Sequence, residues 1–479
     1  MSLKAEAISG ARWTTASSVA VAAIQFVQLT VVARILSPGD FGLMAMVMAV
    51  LGFAQIFTDV GIGAAVIHRQ NNSPRELASL YWLNVFAGAT VFLLTIAATP
   101  LVVTFFDEPR LEILLPCTAL LFLITPFGQL FQLLLQKELK FKSLALVEFL
   151  SAIAGAIVAI GCALEGFGVY SLVFGQLAVA CFTTISVAMI VWPEWRPMAW
   201  FRPVDIQPYL RFGLFQLGDR GVNFLVARAD QIVIGAVLGA ATLGIYNFAW
   251  NLAIMPVTRI NPILTRISFP LFAKVQLDNE RLKRGYMLLV WLLTTTNGPI
   301  LLGGAAVAGT LVPLAFGPQW VPMVPILQIL AIVGLSRSIV NPIGSLVLAK
   351  GRPDLAFKLN VCFLLVQVPA VYLGARIGGI SGVAWTVLAL QLGDLTSAYV
   401  FLLRPLLGPC LKEYASSIAI PLATSISMAI VVLLVPLVLR ESLPIVLAIQ
   451  ITVGAIFYVV SNLALQRAKL VPSLDGLRS

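Results

Sequence analysis

Apolar residues run along this chain in long blocks, each broken off by a charge, a proline or a glycine. About 20 helical residues, at 1.5 Å rise each, cross the roughly 30 Å hydrocarbon core of a bilayer. The blocks reach that length almost end to end and predict fourteen membrane-spanning helices. They lie near residues 9–33, 41–67, 79–106, 113–135, 143–164, 168–192, 209–237, 242–270, 285–315, 321–348, 355–374, 379–403, 413–438 and 443–465. The seventh holds several charges. The first follows Lys4, Glu6 and Arg12 and stays apolar to Val32. It is too long for the core of a signal peptide, and no small-residue cleavage pattern follows, so it is expected to remain as a span.

The segments between blocks alternate in charge. With the N-terminus placed inside, the inner segments hold 23 Lys and Arg, whereas the outer loops hold only Arg34, Arg110, Arg376 and Arg440. This positive-inside asymmetry puts both termini in the cytoplasm. The remaining arginines, Arg220, Arg228, Arg259 and Arg337, fall within spans. No connecting segment exceeds about 20 residues, so no extramembrane domain is expected and the activity must lie within the bilayer.

Composition agrees. Some 59% of residues are hydrophobic and 11% are charged, where soluble chains carry roughly 25% Asp, Glu, Lys and Arg. That excludes a soluble enzyme, a disordered scaffold and a nucleic-acid-binding domain. The formal charge of +10 invites a nucleic-acid partner, but most of it is explained by the inner segments. Cys117, Cys162, Cys181, Cys362 and Cys410 show no metal-ligand spacing, and most lie inside apolar runs. They are expected to be small buried hydrophobes. One histidine, His68, leaves little room for metal binding or His-based catalysis. No metal, no cofactor and no enzymatic centre are expected.

The chain also repeats itself. Leu36-Ser37-Pro38-Gly39-Asp40-Phe41-Gly42-Leu43 matches Leu238-Gly239-Ala240-Ala241-Thr242-Leu243-Gly244-Ile245 at an offset of 202. Lys137 to Leu144 resembles Lys350 to Phe357, and Gly168-Val169 resembles Gly382-Val383, at offsets of 213–214. Six helices separate the copies, an even number, so the halves share one orientation, a parallel repeat of the kind transporters use. Residues 1–206 form an N-lobe, 207–405 a C-lobe, and 406–479 two additional helices with a tail.

Ionisable side chains inside a span cost roughly 2.5–3.5 kcal/mol each on insertion scales, so they usually face a cavity or a partner. By helical rise, Arg220 and Arg259 lie about 16 Å from the cytoplasmic ends of their helices and Arg337 about 18 Å. Three permanent cations at one level make a patch whose guanidinium forks suit phosphate oxygens. A phosphate or pyrophosphate head group is the expected occupant, with Arg12 extending the patch from the first span. Internal ion pairs compete with this reading, since Asp219 adjoins Arg220 and Asp230 lies two residues from Arg228. Asp59 and Glu148, which lack an adjacent cation, and Asp219 are candidates for carrying a coupling ion. Asn261-Pro262 and Asn341-Pro342 each follow an arginine within a span and are hinge candidates, because proline frees a backbone carbonyl and permits a bend.

Several stretches resemble a known family: Ile8-Ser9-Gly10-Ala11-Arg12-Trp13, Val32-Ala33-Arg34-Ile35-Leu36, Leu80-Tyr81-Trp82-Leu83-Asn84-Val85, Gln136-Lys137-Glu138-Leu139 and Leu210-Arg211-Phe212-Gly213. Denser still are Tyr246-Asn247 through Asn261-Pro262-Ile263 to Phe269-Pro270, and Val333-Gly334-Leu335 through Arg337 and Asn341-Pro342-Ile343-Gly344-Ser345 to Ala349-Lys350. Together they resemble the Wzx-type lipid-linked oligosaccharide flippases, in the colanic-acid-like branch of the multidrug/oligosaccharidyl-lipid/polysaccharide superfamily. The resemblance implies an all-α polytopic membrane protein with two six-helix lobes in a V around a central cavity. It implies transfer of undecaprenyl-pyrophosphate-linked repeat units across the bacterial inner membrane for exopolysaccharide or lipopolysaccharide synthesis. Alternating access, a proton or sodium gradient as driver, and cavity arginines holding the pyrophosphate are implied with it. A polysaccharide polymerase and export machinery are the partners it suggests.

Three alternatives stand beside it. A cation-coupled drug exporter of the same superfamily handles substrates that are often cationic and would be repelled by this patch. An integral-membrane glycan polymerase or transferase usually needs a large outer loop, and here the outer loops are short. A structural member of an export complex would not need aligned intramembrane charge. The topology is directly testable. Cysteines introduced as Lys140→Cys and Glu165→Cys should react with an impermeant maleimide from opposite sides of the membrane, the first from inside. Labelling of both from one side would overturn the assignment.

Overall fold

A peptide group in hydrocarbon has no water to bond, so a spanning segment must close its own hydrogen bonds as a helix. The computed structural model describes residues 3–58, 73–439 and 441–467, with backbone alone at 3–12, 204–220, 266, 267, 269, 353 and 466. Its regular elements are all helical, and no strand occurs among the described residues. In order they are α1 (Leu3–Ile35), α2 (Pro38–Thr58), α3 (Pro74–Phe106), α4 (Leu111–Ala119), α5 (Leu121–Lys137), α6 (Phe141–Leu164), α7 (Tyr170–Val191), α8 (Pro203–Lys274) and α9 (Asn279–Ala315). A 3₁₀ turn (Pro318–Met323) leads into α10 (Val324–Val340), α11 (Ile343–Ala349) and α12 (Pro353–Ala398). A π turn (Tyr399–Leu403) precedes α13 (Arg404–Leu407), α14 (Leu411–Val438) and α15 (Leu443–Arg467).

Local sequence sets the ends. Ser73 caps α3 reciprocally with Glu76: the Glu76 N–H donates to Ser73 Oγ at 3.2 Å and the Ser73 N–H to Glu76 Oε2 at 2.9 Å, a capping box with Pro74 at the first helical position. Ser37 and Asp40 do the same at the start of α2, with the Ser37 N–H donating to Asp40 Oδ2 at 3.0 Å. Asp278 accepts from the Glu280 and Arg281 N–H groups to open α9.

Twelve described helical stretches are long and apolar enough to cross a bilayer, and the chain is a multi-pass membrane protein. Two of them, Gly221–Lys274 and Asp354–Leu407, hold 54 residues each, about 80 Å if straight. Neither is straight. Gly239 breaks α8 at φ 79°, ψ 177°, and Gly379 breaks α12 at φ 57°, ψ −142°, conformations that glycine alone adopts cheaply. Both breaks have a counterpart earlier in the chain. Gly239 matches Ser37, the α1–α2 junction, at the repeat offset of 202, and Gly379 matches Gly166, the α6–α7 junction, at 213. The α5–α6 and α11–α12 junctions also correspond. The Lys140 N–H donates to the Leu135 carbonyl at 2.9 Å across left-handed Leu139, and the Arg352 N–H to the Val347 carbonyl at 3.0 Å across left-handed Gly351. This closure pairs the two stretches at an offset of 212, one residue away from the register drawn on Lys137 and Lys350, because the left-handed residue rather than the lysine anchors the turn.

The repeat also touches itself. A Cβ on Gly42 would overlap the Ala240 carbonyl oxygen, and one on Gly244 would overlap that of Pro38. Residues 38 and 42 correspond to 240 and 244 at the offset of 202, so each repeat offers the other the same two positions, as in a two-fold interface. Small residues let helix backbones approach in a membrane, where burial against lipid gives no hydrophobic drive.

The chain divides into two compact units, Met1–Gly244 and Ile245–Ser479. In the first, Leu80 and Tyr81 of α3 pack with Leu130, Phe131 and Leu135 of α5, Val147 of α6 and Val187 of α7. In the second, Leu282, Tyr286, Val290 and Leu293 of α9 pack with Leu335 and Ile339 of α10 and Leu346 of α11. The final pair sits on α9, where the Tyr458 hydroxyl donates to the Thr295 carbonyl at 2.6 Å. The second predicted span, 41–67, is helical to Thr58, and Asp59 and His68 fall outside the described residues. Of the five cysteines Cys410 is buried, three are half-buried and Cys362 is exposed. Burial of all five was expected, but a helix face turned to lipid is apolar without being buried in protein.

Gly42→Ala should lower the thermal unfolding midpoint in detergent, because overpacking against backbone costs about 1–3 kcal/mol. Gly304→Ala, where a Cβ meets nothing within 4 Å, should match or exceed the wild type. A Gly42→Ala midpoint equal to wild type would refute the close contact.

Candidate functional site

Polar side chains gather in the second unit where four helical segments meet. The second half of α8 brings Tyr246, Trp250 and Asn261, α9 brings Asn297, α10 brings Arg337 and Ser338, and the second half of α12 brings Gln391 and Asp394. Asn261, Asn297 and Ser338 are fully buried. Asn297 Nδ2 donates to Asn261 Oδ1 at 3.0 Å and to Ser338 Oγ at 2.9 Å, and the Ser338 hydroxyl donates to Asn261 Oδ1 at 3.1 Å. Asn261 Nδ2 reaches the Ser338 carbonyl at 3.3 Å. These bonds fix the rotation of α10 and, one residue along, the direction of Arg337.

Arg337 is half-buried and held on two sides. Its guanidinium carbon lies 4.7 Å from the centre of the Trp250 ring, a cation–π contact, and Trp250 stacks on Tyr246 with ring centres 6.0 Å apart. Its Nε donates to Gln391 Oε1 at 3.1 Å, and Gln391 Nε2 donates to Asp394 Oδ2 at 3.1 Å. Among the described residues both terminal amino groups of Arg337 lack a hydrogen-bond acceptor, so the fork is oriented and open. Arg337 stands in the last turn of α10, where the helix dipole favours a cation. The helix stops there, with Asn341 and Pro342 in a turn before α11 and Asn341 exposed. Interrupted backbone at membrane depth is tolerated only inside protein or beside a water-filled cavity.

The residues expected from sequence are distributed unevenly. Asn341-Pro342 interrupts its helix, whereas Asn261-Pro262 continues through α8 and Asn261 is a buried crosslink rather than an open bend. Arg259 is exposed. At 100° per residue it points about 180° from Trp250, so the described contacts do not bring it onto Arg337. The side chains of Arg12, Asp219 and Arg220 lie outside the described residues, as does the whole of Asp59. Glu148 is exposed on α6. Among the described residues the buried carboxylate is Asp230, 1% exposed, whose Oδ1 accepts from the Gln231 N–H at 2.9 Å, and Arg228 Nη1 donates to Gln231 Oε1 at 2.6 Å. No group of three or more His, Cys, Asp or Glu placed to hold a metal occurs among the described residues.

Trp250, Gln391 and Asp394 were not foreseen as partners of Arg337. Gln391 is 54 residues away in sequence, and no spacing rule joins them. The one usable signal was a polar pair, Gln391 and Asp394, at i and i+3 inside an apolar span.

Residues 31–325 match the family model described as polysaccharide biosynthesis protein. The chain is 34% identical to the lipopolysaccharide biosynthesis protein WzxC of Escherichia coli K12, across 92% of this chain and 90% of that one. It is also 34% identical to the teichuronic acid biosynthesis protein TuaB of Bacillus subtilis 168, across 95% of each. Among solved structures, the fold matches the lipid II flippase MurJ in an inward closed conformation with a TM-score of 0.76, at 13% identity, covering 97% of this chain and 100% of that one.

If the buried triad works as one unit, its losses should not add. Asn261→Ala and Asn297→Ala should each cost about 1–3 kcal/mol by stranding buried partners, and the double variant should fall short of their sum by at least about 0.5 kcal/mol. A chemical-denaturation cycle measures this, and additive losses would dissolve the network.

Proposed function

Because the chain belongs to the polysaccharide biosynthesis protein family, we propose that it is a flippase. It carries undecaprenyl-pyrophosphate-linked oligosaccharide repeat units from the inner to the outer leaflet of a bacterial cytoplasmic membrane. The observation that carries this reading is the oriented, open fork of Arg337, set within a span and beside a broken helix. A permanent cation there suits an anion passing through the bilayer, and pyrophosphate offers the oxygens that a guanidinium grips in pairs. Arg259 supports it. An exposed arginine in a span is costly against lipid and affordable only toward water or an anion. Arg220 and Arg12 complete the patch on this reading.

In the proposed architecture each half of α8 and α12 is a span of its own, which makes fourteen. Residues 1–206 and 207–405 are then the moving lobes, Asn341-Pro342 is a hinge within a span of the second, and the charge pattern sets both termini inside. The lobes open alternately, driven by a proton or sodium gradient, with Asp59, Glu148 and Asp219 as carriers. The drug-exporter reading is disfavoured by the outward guanidinium of Arg337, which no carboxylate bonds directly, and the polymerase reading by the short outer loops. A polysaccharide polymerase would receive the product.

The test is exposure of a labelled undecaprenyl-pyrophosphate oligosaccharide from the host on the outer leaflet of proteoliposomes, with and without an imposed gradient. Wild type should exceed empty liposomes. One charged hydrogen bond is worth about 1.5–3 kcal/mol, so Arg337→Gln should weaken substrate binding roughly 10- to 150-fold. Arg337→Lys keeps the charge but loses the fork and should not rescue. The triple change Arg220→Gln, Arg259→Gln, Arg337→Gln should abolish transport with protein still in the membrane. Normal transport by the triple variant would sink the phosphate patch.

A further inference from the structure

The stretch from Trp192 to Arg202, between α7 and α8, is non-helical, yet it is strongly apolar. Trp192, Met198, Trp200 and Phe201 are all exposed, at 47%, 42%, 37% and 43%. It is not a loose loop. Trp195 is driven into the first unit's core between Tyr81 and Phe131, with ring centres 6.1 and 5.8 Å away. Trp82 Nε1 donates to the Met198 carbonyl at 2.8 Å, and the Arg202 N–H donates to Ser79 Oγ at 3.1 Å. The segment is strapped across the first turns of α3 with its large apolar side chains outward. Non-helical backbone cannot lie in hydrocarbon, and tryptophan favours the headgroup level, so the strap belongs at the membrane interface.

Its cations are selective in what they leave free. Lys140 is occupied: Glu194 on the strap and Glu138 hold its ammonium at 2.7 and 2.8 Å, which raises the lysine pKa and lowers that of Glu194. Glu76 is engaged in the α3 cap. Arg75 has no carboxylate partner among the described residues, and its guanidinium lies 4.9 Å from the Trp200 ring centre. Arg202, two residues on, is likewise without a carboxylate partner among the described residues. Arg196 lies over Trp192 with its Nε donating to the Trp192 carbonyl at 3.2 Å.

We propose that this strap is a docking surface for anionic phospholipid headgroups, with Arg75 and Arg202 receiving the phosphate and Trp192, Trp200 and Phe201 seating among the acyl-chain ends. Charge complementarity selects the occupant, because unpaired guanidinium groups beside interfacial tryptophan attract an anionic lipid rather than a zwitterionic one. The inference rests on the inside orientation read from charge and not on the substrate carried, so it stands or falls separately from flipping.

The experiment is native mass spectrometry of the full chain released from detergent, titrated with phosphatidylglycerol or with phosphatidylcholine of the same chains. Each basic residue at a membrane surface contributes on the order of fivefold in affinity. Wild type should prefer phosphatidylglycerol, and the double variant Arg75→Gln, Arg202→Gln should lose tenfold or more of that preference while its phosphatidylcholine binding and melting midpoint hold. Trp200→Ala should lose part of it, and Arg376→Gln, in a loop that the charge pattern assigns to the outside, none. An unchanged preference in the double variant, or an equal loss in Arg376→Gln, would overturn the proposal.

Discussion

A guanidinium cannot rest against lipid tails, and the second unit is arranged around that constraint. Arginine keeps its charge where a buried lysine or carboxylate can shed it. Arg337 must therefore be given surroundings instead. The surroundings are a tryptophan face, one amide oxygen and the end of a helix whose carbonyls carry partial negative charge. None of these neutralises it. The buried Asn261–Asn297–Ser338 triad next to it holds three helices in one rotation, so the guanidinium is presented rather than left to swing.

The same economy of small, repeated devices shapes the first unit. The matched residues Pro38 and Gly42, and Ala240 and Gly244, make a contact that is its own image. A duplicated six-helix segment would meet its copy in this way, and the breaks at Gly239 and Gly379 fall where the earlier copy has ordinary helix junctions. Helix ends therefore survived duplication even where the capping residues did not: Ser37 and Asp40 form a capping box, while their counterparts Gly239 and Thr242 rely on a glycine backbone.

Much of this was legible in the sequence. Spans are fixed by hydrocarbon thickness and by backbone satisfaction, both local properties, so apolar blocks locate helices well, and the repeat motif around Gly42 located a real contact. The site was legible only in part. Arg337 stood out because an intramembrane cation is costly wherever it lies, but its partners come from helices distant in sequence and are set by packing. Helical rise sets Arg259 and Arg337 at similar depth in their spans, yet depth says nothing of azimuth. Arg259 faces away from Trp250, and Asn261 faces inward where a proline hinge was expected. Glu148 has an exposed side chain on α6, and an apolar run does not say which of its faces meets protein.

The interposed Gln391 is what makes the site suited to an anion that must also leave. Were Asp394 bonded directly to Arg337, the pair would be neutral, and an incoming phosphate would have to break a low-dielectric ion pair, which costs about 3–5 kcal/mol when one partner is removed. With a neutral amide between them, the guanidinium keeps its charge outward while the carboxylate stays near enough to moderate it. A cation with no counter-charge would hold pyrophosphate too tightly to release, and one fully paired would never bind it. The relay from Arg337 through Gln391 to Asp394 sits between those limits, which is where a carrier, unlike a receptor, has to be.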